Sequence, residues 1–274
     1  MVLEMLIGPK KAERHPLEIL LVTMIYTIVS IFISHVLFPE ETSILSIAFV
    51  TIMFAPLFQA MFILEEKEEE RNLEREHQIP FKEHSKLLNV YIFFFLGIVL
   101  ATTIVYTFFP SYNVISKDAF SLQVKTIQSI RNHATGNYLN MSTFARIFTN
   151  NTKILLLIFL LSSLSGAASI FIIAWNASVI GVFSSLQIAK LEAHGKIYAY
   201  FVGLISSLLS ISLHGIPEII AYFLGSFAGG IISVSIIREK HKTKEMAQII
   251  LDSIEVLLIA EVLIFFAAAI ESLY

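Results

Sequence analysis

The apolar positions come in long, nearly continuous runs with short polar breaks between them. Several runs exceed the roughly 18 residues that a helix needs to cross the hydrocarbon core of a bilayer. They do not alternate apolar with polar, so they read as helices rather than barrel strands. In lipid the backbone must satisfy its own hydrogen bonds, which a helix does within one segment. The pattern predicts spans near 17–38, 44–64 and 87–109, an apolar run over 153–189, and spans near 197–213, from 218 to 237, and 249–269. Pro56 falls inside the second and is expected to kink it.

The 153–189 run is the ambiguous one. Its 37 residues are too long for one span of about 20 and short for two with a turn. Two stretches interrupt it, "SSLSGAAS" (162–169) and "WNAS" (175–178). Either one full span is followed by a half-helix over 177–189 that dips in and returns, or there are two short spans. Lysine and arginine counts arbitrate, because such residues collect on the cytoplasmic side. The dipping layout places 14 on the N-terminal side and 5 on the other; two short spans give 8 and 11. The sharper split favours seven crossings plus one re-entrant half-helix, with the N-terminus cytoplasmic. That layout puts 190–196 on the cytoplasmic side and "HGIPE" (214–218) at the outer end of a helix–break–helix.

Three polar regions complete the frame. Residues 1–16 read as an interfacial helix, with Val2, Leu3, Leu6 and Ile7 toward the acyl chains and Lys10, Lys11 and Arg14 in water. Residues 65–87 form a charged cytoplasmic loop; its 65–86 stretch has eight acids and five bases, and the plain reading is a solvated extension of the second span. A docking surface for a cytoplasmic partner is the alternative. Residues 110–152 lie outside the cell, and within them Phe120, Val124 and Ile127 share one face of an amphipathic helix that Asp118 is placed to cap. "NMS" (140–142) and "NNT" (150–152) match the glycosylation pattern, which arises often by chance.

The whole chain, 1–274, is thus expected to be a single integral membrane domain: an all-α polytopic transmembrane bundle with broken or re-entrant helices and short amphipathic interfacial helices. Composition agrees. Hydrophobic residues make up 56% of the chain, against about 45–50% in soluble domains. A net charge of −3 argues against a nucleic-acid partner, and the absence of cysteine excludes disulfide and thiol chemistry. The opening "MVLEMLIGPKKAERHP" places apolar before basic residues, the reverse of a secretory leader. No P-loop, HExxH or GxSxG pattern occurs, and neither a metal nor a cofactor is implied.

A few polar side chains stand where the flanking sequence is apolar. His214 and Glu218 are one helical turn apart around Pro217; they read as a cap and an interhelical bond, a solute or ion site, or an acid–base pair. Glu218, Tyr222, Gly225 and Gly229 fall on one face, and "GSFAG" (225–229) matches the small-xxx-small pattern of close helix packing. Asn176 is expected to stabilise a bend in the 153–189 run, or to contact a solute. Glu261 lies mid-span and is costly there unless it is paired or protonated. The binding hypothesis therefore rests on Asn176, His214, Glu218 and Glu261, with no catalytic residue assigned.

These residues carry a resemblance. "NNTKILLLIFLLSSLSGAASIFIIAWNASVIGVF" followed by "LHGIPEIIAYFLGSFAGGII" resembles the stage II sporulation protein M family. The matching positions are Asn151, Asn176, Gly181, His214, Gly215 and Glu218, within a family-like core over 153–240. The resemblance implies an all-helical, multi-pass membrane protein of prokaryotes. It also implies a scaffold for cell-wall-degrading partners in spore formers, although the family is wider than spore formers.

Three functions follow from these readings. A non-enzymatic scaffold that binds a membrane or envelope protein fits the absent catalytic motifs, the charged loop and the outer amphipathic segment. A transporter or channel for a small solute or ion fits Asn176, Glu218 and Glu261. An intramembrane enzyme using His214 and Glu218 has the least support. The bilayer is the one constant partner, and "GSFAG" is compatible with a homodimer.

Overall fold

The structure, a computed structural model, describes residues 8–73, 85–112, 114–115, 117–133, 141–237 and 244–273. It contains nine α-helices among the described residues: α1 Pro9–Arg14, α2 Pro16–Leu37, α3 Thr42–Leu73, α4 Ser85–Phe108, α5 Ser121–His133, α6 Met141–Leu164, α7 Ser169–Leu191, α8 Lys196–Ile237 and α9 Lys244–Glu271. Among the described residues, seven stretches are long and apolar enough to cross a membrane: Pro16–Leu37, Pro39–Lys67, Lys86–Phe108, Thr143–Leu164, Ser169–His194, Leu213–Ile237 and Met246–Glu271. The chain is an all-α polytopic membrane protein.

The expected count of seven holds, but the fragment that is not a full span is a different one. The sequence placed a half-helix at 177–189. Instead α7 runs unbroken for 23 residues, and the chain turns before it, between Leu164 and Ser169. Gly166 makes this turn possible by close approach: a Cβ there would lie 2.8 Å from Phe62 Cδ2 and 2.9 Å from Gln59 Oε1 of α3. Of the two interruptions in the apolar run, only "SSLSGAAS" breaks the helix.

The expected break at 214–218 is also absent, because α8 continues for 42 residues with Pro217 inside it. Proline removes one backbone donor and crowds the preceding turn, a cost of about 3 kcal/mol or more in a helix interior. Packing against neighbouring helices makes such a proline tolerable in membrane helices. At 1.5 Å per residue α8 is roughly 63 Å long, twice the hydrocarbon thickness of about 30 Å. Its first half, Lys196–Ser210, is the short apolar helix. Pro56 likewise lies within a continuous helix, α3.

Contacts fix the relative directions. Thr23 of α2 meets Gly97 of α4, and Ile31 clusters with Val105, so α2 and α4 run parallel. Phe54 packs on Phe94 and Phe58 on Tyr91, so α3 runs the other way. Thr102 meets Gly181, and Thr107 bonds Ser185, so α7 parallels α4. Ser207 of α8 bonds Ser184 of α7, while Ser226 meets Ser169, so α8 is antiparallel to α7. The loop 190–196 therefore lies at the end opposite the N-terminal segment, not at the same end as the sequence reading had it. Residues 221–231 of α8 are buried without interruption, which makes its second half the central helix.

The peripheral segments differ from expectation in detail. Val2, Leu3, Leu6 and Ile7 lie outside the described residues. The acidic end of α3 is not simply solvated: Glu65 is 3% and Glu66 0% exposed, and each makes a polar or electrostatic contact. Phe120 and Ile127 are buried with Val124 packed beside them, as the amphipathic pattern predicts. A 3-10 turn, Lys117–Phe120, precedes α5, so Asp118 sits in that turn and not at the α5 cap.

Candidate functional site

Besides the Thr107–Ser185 and Ser207–Ser184 bonds, four groups of interior polar side chains among the described residues join facing elements. The first surrounds Glu218 on α8. Tyr222, one turn later, donates its hydroxyl to Glu218 Oε1 at 2.7 Å. Glu271, in the last turn of α9, lies within electrostatic range of both Glu218 and Tyr222, and His214 lies within range of Glu271. The steps 214, 218 and 222 place all three α8 groups on one face. Gly215, next to His214, is buried.

The second group joins α6 to α9. Glu261 Oε1 accepts a hydrogen bond from Thr152 Oγ1 at 2.5 Å. Asn151, beside Thr152, is 6% exposed and accepts a bond from Asn150 Nδ2 at 3.2 Å. The mid-span carboxylate is therefore paired with a hydroxyl on its neighbour, which reduces the cost of holding it in the bundle.

The third group is a hub of hydroxyls where α4, α6, α7 and α8 meet. Tyr91 OH and Ser226 Oγ are 2.7 Å apart, Ser169 Oγ and Ser226 Oγ 2.5 Å, and Ser162 Oγ donates to the Ser226 carbonyl at 2.6 Å. Gly166 N–H donates to Ser233 Oγ at 3.3 Å. These bonds hold the turn between α6 and α7. The fourth group anchors α5: Gln123 Nε2 donates to the Ser43 carbonyl at 3.2 Å and to Ser178 Oγ at 3.3 Å, and Ser43 Oγ donates to the Ala119 carbonyl at 2.9 Å.

Asn176 does not sit at a bend. It lies inside α7 and its Nδ2 donates to the Ile172 carbonyl of its own helix at 2.9 Å. The glycines work by proximity. A Cβ on Gly225 would come within 2.6 Å of Leu155 Cδ1, and one on Gly229 would run into the Phe159 carbonyl of α6. Gly181 has the same relation to Thr102 of α4, whose Cβ would lie 2.7 Å away.

The structure thus brings Glu218 together with His214 through Glu271, and pairs Glu261 with Thr152. It leaves Asn176 bonded within its own helix. The sequence reading passed over Thr152 and Ser226 and gave Glu271 and Gln123 no role. Nothing local marks a serine as a hub, since its partners are 57, 64 and 135 residues away. Glu271 could have been flagged as a carboxylate at the end of an apolar run. Among the described residues, no group of three or more histidines or carboxylates is arranged to hold a metal ion.

No curated protein and no solved structure matches the chain. The family described as Stage II sporulation protein M matches residues 90–274, a longer stretch than the 153–240 core singled out in the sequence. Over that stretch, from the first turns of α4 to the last residue, the chain belongs to the stage II sporulation protein M family.

Proposed function

We propose that this protein is a non-enzymatic scaffold of the cell membrane that binds an envelope or membrane protein. The observation that carries the reading is the way the interior polar groups are spent. Glu218, Glu261 and Asn176 each bond directly to a protein group, namely Tyr222, Thr152 and the Ile172 carbonyl. Groups committed to neighbouring helices fix a bundle's shape. His214 and Glu218 are one turn apart on the same helix, and the Glu218 oxygen that Tyr222 occupies is not open to a substrate.

The orientation belongs to the same proposal. With α7 as a full span, the N-terminal side collects 12 lysines and arginines and the other side 7. The N-terminus is then cytoplasmic, and α5 with the 190–196 loop is extracytoplasmic. The partner is expected on the α5 side or on the charged 65–87 segment.

The alternative is a small-solute or ion transporter using Asn176, His214, Glu218 and Glu261. Flux assays on proteoliposomes separate the two. A scaffold shows no flux above protein-free vesicles, and Glu218→Gln leaves it folded and able to bind its partner. Ion or solute flux that Glu218→Gln or Glu261→Gln abolishes, with folding retained, would replace the scaffold reading by the transport one.

A further inference from the structure

Helix α1 is short but fixed. Its Ala12 is fully buried, in the same core cluster as Ile19 of α2 and Leu87 of α4. With Ala12 turned inward, Lys10, Lys11, Arg14 and His15 are exposed, and so is Lys86 beside Leu87. Pro16 and Lys86 are the first residues of two apolar spans, and α2 and α4 run parallel, so these cations form a collar at one end of the bundle. With these two spans in a bilayer, that end of the bundle lies at the edge of the hydrocarbon, near the depth of lipid phosphates. Lys11 reaches Glu18 Oε2 at 2.6 Å, which ties α1 to α2. Below the collar Leu17 and Leu21 are 66% and 53% exposed, an apolar wall continuous with the basic rim.

We propose that this collar is a binding site for the phosphate of an anionic phospholipid in the adjoining leaflet. Charge complementarity supplies the attraction: basic residues beside a span draw acidic lipids, and the arginine fork matches phosphate geometry. The buried Ala12 seats the helix that carries Lys10 and Arg14, and Lys11 is engaged by Glu18, so Lys10, Arg14 and Lys86 are the cations that meet the phosphate. The occupant is a lipid and not a soluble anion because the site has two parts. The cations meet the headgroup, and Leu17 and Leu21 meet the acyl chain.

The test uses the full chain in phosphatidylcholine nanodiscs with a minority of spin-labelled phosphatidylglycerol, reading the immobilised lipid fraction. The wild type is expected to prefer phosphatidylglycerol. Each of K10Q, R14Q and K86Q should lower the relative association constant roughly fivefold, and about 1 M salt should weaken the preference. K125Q, on α5 at the other end of the bundle, should change nothing. A wild type without preference, an equal loss in K125Q, or full displacement by soluble glycerol phosphate would each overturn the proposal.

Discussion

Thr152 of α6 donates a hydrogen bond to Glu261 of α9 across 109 residues of sequence. It gives the mid-span carboxylate a partner on another helix, so the stability of the α6–α9 contact depends on it. Thr152→Val keeps the side-chain shape and removes the donor. The site is partly buried, and losing one hydrogen bond there costs about 0.5–1.5 kcal/mol. Denaturation in mixed micelles should register that loss, while Thr152→Ser should stay near wild type. An unchanged Thr152→Val would mean that Glu261 is satisfied elsewhere.

The two glycines facing α6 should not respond alike. At Gly225 the obstacle is the Leu155 Cδ1 tip, which can rotate away. At Gly229 it is the Phe159 carbonyl and the Ser163 backbone nitrogen, the latter 2.9 Å from the added atom. Overpacking a core commonly costs about 1–3 kcal/mol. Gly229→Ala is therefore expected in the upper part of that range and Gly225→Ala below it, by the same denaturation measurement. The reverse order would contradict the packing described.

The hydroxyl hub predicts a smaller effect. Tyr91→Phe removes one bond to Ser226 and keeps the ring stacked on Phe223, whose centroid is 5.1 Å away. Interhelical hydrogen bonds in membrane proteins average about 0.6 kcal/mol, so the loss should be near that value. Tyr91→Ala also empties the space of a fully buried ring, and truncating a large aromatic in a core costs about 3–5 kcal/mol. The two variants should separate clearly in thermal inactivation.

Topology can be read directly because the chain has no cysteine. Single cysteines at Lys10, Lys125 and the exposed Ala193 should react with a membrane-impermeant maleimide in two patterns. Ala193→Cys and Lys125→Cys should label together from outside intact cells, and Lys10→Cys only after lysis. If Ala193→Cys labels together with Lys10→Cys, α7 does not cross.

Much of the architecture was legible in residue order. Runs such as 17–38 and 87–109 are too apolar and too long for anything but spanning helices. The helical spacing of Phe120, Val124 and Ile127 marks the inner side of α5 and of the 3-10 turn that leads into it. Periodicity carries such information because each residue's neighbours one turn away are set by the helix itself. The serine hub and the Thr152–Glu261 bond left no such trace, because their partners come from other helices.

What the sequence determined by itself is the solvent: its hydrophobic runs require a bilayer, and the bilayer requires helices. Which punctuation actually breaks a helix was decided by tertiary structure. The chain turns after Leu164, where Gly166 leaves room for Phe62 and Gln59 and its N–H finds Ser233, whereas Pro217 does not end α8. The energy of a turn or a kink in lipid depends on whether a neighbour can satisfy the freed backbone groups and fill the space, and that neighbour is distant in sequence.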